Sequence, residues 1–264
     1  MSDALDLVYR SIDDQHADLP AATRRRFVTG AAAAIGSLGL LGTIAKTAKA
    51  STSTNSTETI LAVAATAEVL ATIVNTIGWE RGLGRDAVTQ RNIKAAAREE
   101  LVHYNVLTSI GGKPVTTRIW VPDAVFASRT NLLNTLQVGD QIFVNAYLIA
   151  VRAFANAGQG ATATYAAEFM GVEAVHRALA RQSLGLLGND RAFMKFNQPE
   201  TAQGAPNQGQ KGFTHIETAV TQLLAAGFNF GAEGAKPGRF YDFSQVQKRT
   251  PTDAGINTYN PDAS

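Results

Sequence analysis

The spacing Glu-x-x-His occurs twice in this chain, at Glu100/His103 and at Glu173/His176. Successive residues of an α-helix turn by about 100°, so side chains three apart leave one face and can aim at a common centre. A chain that does this on two helices is constrained to turn both faces inward. Two further apolar stretches carry one acid each. Glu68 is the only charged residue from Ile60 to Gly78, and Asp140 the only one from Thr130 to Val151. Four carboxylates and two imidazoles on four helices make the donor set of a di-iron or di-manganese bundle.

The helical faces agree with inward acids. A first helix runs from Thr57 to about Gly78, and Leu61, Ala64, Ala71 and Asn75 lie within about 60° of Glu68 on its wheel. A second, from Asp86 to Ile110, has Arg91, Lys94, Arg98 and Asn105 on its wet face, with Glu100 opposite among Ile93, Ala96, Ala97, Tyr104 and Leu107. Glu99 also neighbours His103 and is a rival ligand at the edge of the apolar face. The third helix, Arg129 to Asn156, surrounds Asp140 with Leu133, Leu136, Phe143, Val144 and Tyr147. The fourth, Ala161 to Leu187, sets Glu173 among Ala166, Phe169, Met170 and Ala180, with His176 on the flank. Arg177 falls on the same side, as a partner of the ligands or at the helix edge, whereas Glu168 points about 140° away from Glu173. Tyr104 and Tyr147 read as core residues.

The connections have their own signals. Gly112 to Thr130, with Pro114 and Pro122, is a crossover long enough to traverse a bundle. Residues 51–56 form a polar linker, and Asn197 to Gly212 is a Gln/Gly/Pro-rich loop. A short fifth helix from Phe213 to Phe228 carries His215 and Glu217 as a surface pair. From 229 to 264 no period is sustained, and an irregular tail is expected.

The amino terminus carries a different message. Thr23-Arg24-Arg25-Arg26-Phe27 precedes a Gly/Ala-rich apolar run from Gly30 to Ala45, then Ala48-Lys49-Ala50. Arg24, Arg25 and Phe27 in this setting resemble a twin-arginine (Tat) export signal over residues 1–50, cleaved after Ala50. The run has about 16 residues where a span needs about 20, so membrane contact is expected only through this segment if it stays uncleaved. The resemblance implies the Tat export machinery as a partner and a periplasmic or otherwise extracytoplasmic bacterial location.

Charge and composition exclude several classes. The formal charge is +2, and the segment beyond Ala50 holds 18 Lys/Arg (24 less 6) against 17 Asp/Glu (22 less 5), so no basic field exists to hold nucleic acid. The chain has no cysteine, which removes disulfides, thiolate metal sites and cysteine nucleophiles. Four ionised carboxylates are neutralised by two divalent ions, and iron or manganese accepts carboxylate oxygen and imidazole nitrogen. Without cations, burying such a set is costly.

The order Glu68, Glu100-Leu101-Val102-His103, Asp140, Glu173-Ala174-Val175-His176 resembles the ferritin-like superfamily. The Tat-type leader, Gly111-Gly112-Lys113-Pro114 after the second helix and the Asp140/Tyr147 spacing resemble its bacterial ferritin-like domain proteins, related to plant desiccation-related proteins. The likeness covers Thr57 to Leu187, or runs to Phe228 if the fifth helix belongs. It implies an all-α fold: a ferritin-like four-helix bundle with a long crossover connection and a short C-terminal extra helix. By position it implies Glu68 and Asp140 as terminal ligands, Glu100 and Glu173 as bridging ligands, and His103 and His176 as nitrogen ligands. Asp140 replaces the family's usual Glu and is one methylene shorter, so one ion rather than two is the alternative occupancy. The implied chemistry is Fe(II) oxidation or protection from oxidative stress. A non-enzymatic stress or envelope protein keeping the fold is the alternative, and an oxygenase-like enzyme would need a substrate cavity beside the metals. No catalytic residue beyond the ligands is assigned, and a homo-oligomer is compatible with the pattern.

Overall fold

The computed structural model describes residues 55–189 and 212–253. The export signal at 1–50, most of the linker, much of the Gln/Gly/Pro-rich loop and the chain from 254 onward lie outside the described residues.

Four long helices form the body: α1 (Thr57–Glu80), α2 (Ala87–Ser109), α3 (Arg129–Asn156) and α4 (Gly160–Ser183). Three starts are capped by a side chain that accepts a backbone N–H two or three residues into the helix. Ser56 takes Thr59, Asp86 takes Thr89 and Ser128 takes Asn131, which answers amides that would otherwise lack partners. Short connections make α1/α2 and α3/α4 antiparallel hairpins, and the hairpins join through α1 against α3 and α2 against α4. α1 is the one described helix long and apolar enough to cross a membrane by composition, but 89% of that window is buried inside the protein, as in a core helix.

The turn between α1 and α2 is built by Gln90. Its Oε1 accepts the Gly84 N–H at 2.9 Å and its Nε2 donates to the Trp79 carbonyl at 2.6 Å. Gly84 therefore lies so close to α2 that an added Cβ would stand 2.5 Å from the Gln90 backbone.

The expected irregular tail is corrected. The crossover carries strand β1 (Arg118–Pro122) and a 3-10 turn at Asp123–Phe126. Beyond the fifth helix, α5 (Glu217–Ala226), come β2 (Asn229–Phe230), β3 (Gly238–Asp242) and a short α6 (Phe243–Gln247). The three strands make an antiparallel sheet ordered β2-β1-β3, with Ile119 opposite Phe230 and Tyr241. Each strand is too short to show alternation alone, and β1 finds its partners more than a hundred residues away, so pairing rather than periodicity creates the sheet. α5 is also shorter than expected, because His215 and its neighbours precede the first helical turn.

This layer is fastened to the bundle by polar side chains. Asn145 of α3 exchanges two hydrogen bonds with the Phe213 backbone, and Asn55 accepts from Ile216 N–H and donates to the Thr214 carbonyl. The buried hydroxyls of Thr76 and Thr250 meet at 2.9 Å, and Phe243 packs edge-on against Tyr104. Gly84→Ala should cost about 1–3 kcal/mol by forcing the α1–α2 turn apart. Gly171→Ala, where a Cβ meets nothing within 4 Å on an exposed helical face, should gain up to about 1 kcal/mol. Denaturant unfolding of the two variants checks both signs.

Candidate metal centre

Each of the four long helices delivers one inward carboxylate to the same level of the bundle. Glu68, Glu100 and Glu173 are each 0% exposed, and Asp140, His103 and His176 are also buried. Glu68, Glu100, His103 and Glu173 form one group whose potential ligand atoms lie within 4.8 Å of one another. Glu100, Asp140, Glu173 and His176 form a second. Glu100 and Glu173 belong to both. The six predicted residues therefore converge, and Asp140 reaches its group despite its shorter side chain.

The two histidines face the acids in different ways. His103 Nδ1 stands 3.5 Å from Glu68, 3.4 Å from Glu100 and 3.3 Å from Glu173. Its ring lies against Phe169, with centroids 4.2 Å apart. His176 turns Nδ1 toward Glu100 at 3.2 Å and Glu173 at 3.8 Å, and its Nε2 meets Glu99 at 2.6 Å. Glu99, the rival ligand beside His103, is thus the outer partner of His176. A carboxylate on the far nitrogen fixes an imidazole's orientation and tautomer and makes the near nitrogen a better donor. Position on the α2 wheel could not reveal this, since the contact crosses to α4.

Tyr147 is a core residue, as expected, and it also donates its hydroxyl to Glu68 Oε1. That bond holds one carboxylate oxygen and leaves Oε2 to face the centre. Arg177 is buried beside Asp140, where its charge favours the ionised carboxylate. Glu168 is exposed and takes no part. His215 is exposed and Glu217 half-buried on the distant C-terminal layer, apart from the centre.

Electrostatics shows what the cluster lacks. Burial pushes the Glu68 carboxyl well above the usual carboxylate range, with His103 opposing it, and burial also raises Asp140, reinforced by Glu173. Burial works against the charge on Glu100 too, but the two histidines standing beside it outweigh that and hold the carboxyl below its ordinary range. His103 and His176 are driven upward against their own desolvation, His103 by Glu68 first and His176 by Glu100 first. Every one of the six residues still has a buried nitrogen or oxygen with no hydrogen-bond partner: Glu68 Oε2, both oxygens of Glu100 and Glu173, Asp140 Oδ2, and the Nδ1 atoms of both histidines. Buried polar atoms are rarely left so, and a set that converges on one space fits a bound cation.

A family model for the ferritin-like domain matches residues 56–186, and this stretch folds as a mostly helical bundle, consistent with that fold. No curated protein and no solved structure matches the chain significantly. The ferritin-like fold and its buried acid/histidine cluster are compatible with metal binding. Glu99→Ala should weaken metal binding about 10- to 100-fold by releasing His176, while leaving the helical circular dichroism unchanged. Titration of the metal-free protein with Mn(II), followed by paramagnetic resonance, reads the affinity.

Proposed function

We infer that the bundle holds a carboxylate-bridged pair of iron or manganese ions. Glu68 and His103 would hold one ion, Asp140 and His176 the other, and Glu100 and Glu173, which belong to both groups, would be shared. The observation that carries the reading is the sharing of Glu100 and Glu173 by two otherwise separate groups of four. Two divalent ions also neutralise four carboxylates without help from protons, which removes the cost of the buried acids.

When bound, such ions supply one-electron redox chemistry, and Fe(II) oxidation by dioxygen or peroxide is the reaction proposed. The chain's own residues hold and orient. Tyr147 keeps one oxygen of Glu68 occupied, Glu99 keeps the His176 ring aimed inward, and Phe169 with the surrounding apolar wall keeps bulk water out. The Arg24-Arg25-x-Phe27 leader supports export by the Tat route, which delivers proteins already folded to a periplasmic or similar extracytoplasmic site. Removal of oxidisable Fe(II) in that compartment would limit oxidative damage.

Elemental analysis of protein exported by its own leader should find close to two irons or manganeses per chain. Glu100→Ala and Glu173→Ala should each lose metal, and Glu168→Ala should keep it. Full stoichiometry in both bridging variants would sink the assignment. Ligand binding at about 100 times its Kd stabilises a fold by about 2.7 kcal/mol, so metal loading should raise the melting temperature of the parent and not of the bridging variants. Arg24→Lys combined with Arg25→Lys should retain the chain in the cytoplasm of a Tat-competent bacterium, read by fractionation.

A further inference from the structure

A cavity of about 140 Å³ lies between α1, α3, the 3-10 turn and the C-terminal layer. Leu70 and Val74 of α1, Ile142 and Phe143 of α3, and Leu223 and Phe228 of the added layer give it apolar walls. Its polar residues divide into two kinds. Asn131 donates to the Ala124 carbonyl, Thr135 to the Asn131 carbonyl and Lys236 to the Ala226 carbonyl. Asn75 and Asp140, in contrast, each keep a buried oxygen without a partner, Asn75 Oδ1 and Asp140 Oδ2. Both residues are at least nine-tenths buried, at 2% and 5% exposure. Asn75 is held in place by its own amide, which donates to the Ala71 carbonyl at 3.2 Å.

Asn75 and Asp140 also line a second, smaller space that contains His176. They therefore stand as the partition between the apolar cavity and the acid/histidine centre. The cavity floor is open at Gly139, where a Cβ would meet nothing within 4 Å. An apolar cavity near 150 Å³ accommodates a benzene-sized molecule, and an unpartnered acceptor on one of its lining residues favours a ligand that brings a donor.

We propose that this cavity binds a single-ring apolar molecule bearing one hydroxyl, a phenol in chemical class, whose hydroxyl donates to Asn75 at the wall shared with Asp140. The ring fills the space between Phe143, Phe228 and the aliphatic walls. The hydroxyl end then points to the centre. The proposal deepens the metal-centre reading and rests on it for the ligand's place relative to the ions, but the binding itself requires no metal.

The test titrates the full chain with phenol and with benzene, both metal-free and after anaerobic loading with Mn(II), following methyl and amide NMR signals. Both probes should saturate at one site per chain. Gly139→Leu, which projects a side chain into the cavity, should weaken both by at least about tenfold, and Ala71→Leu from the opposite wall should do the same if Gly139→Leu fails to fold. Asn75→Leu should weaken phenol by about tenfold and leave benzene nearly unchanged. Absence of saturation with either probe overturns the site, as does unchanged binding in a folded cavity-filling variant. Phenol binding by a chain that takes up no metal supports the cavity and sinks the metal reading; two ions per chain without phenol binding does the reverse.

Discussion

Mutual repulsion among desolvated carboxylates is the constraint to which the rest of this molecule answers. Glu68, Glu100, Glu173 and Asp140 come from four different helices and meet in the buried interior of the bundle. Folding the bundle forces them together, because each sits at the centre of its helix's apolar face. Packing therefore acts against electrostatics, and only positive charge reconciles the two. His103 and His176 stand among the acids, and the acids' charge in turn favours the protonated imidazoles. The unpartnered atoms that remain are compatible with a bound cation.

The surrounding residues make that centre directional. Tyr147 and Glu99 act on ligands from opposite ends, one on a carboxylate of α1 and the other on an imidazole of α4. The C-terminal layer adds a second asymmetry. By packing over α1 and α3 it encloses an apolar space on the Asp140 side, and the walls of that space come partly from Leu223 and Phe228. A plain four-helix bundle would leave that face to solvent. The Asp in place of a longer Glu reaches the centre while remaining part of the cavity wall, so one residue belongs to both environments.

Much of the bundle was legible in the chain because helical periodicity is local. Solitary acids in apolar runs and the repeated Glu-x-x-His fall within single helices, where spacing dictates facing. The boundaries of the third helix are those expected and the first and second shift by a residue or two, but the fourth ends at Ser183 rather than Leu187, with Gly185 in a left-handed conformation just beyond it. Beyond the fifth helix the C-terminal strands were not legible. β1, β2 and β3 have too few residues for a pattern, and what stabilises them is pairing across more than a hundred positions.

The amino-acid sequence by itself determined the helices, their inward faces and the six residues that meet, since each depends on a period of 3.6 within one segment. Tertiary structure alone decided which residue stands behind which. Glu99 looked like a companion of His103 on its own helix and proves to be the partner of His176 on another. Asn75 looked like one more residue on an apolar face and proves to border a cavity roofed by chain more than 140 positions away. Contacts between helices depend on crossing geometry and on the side chains of both partners, and no single stretch of sequence contains that information.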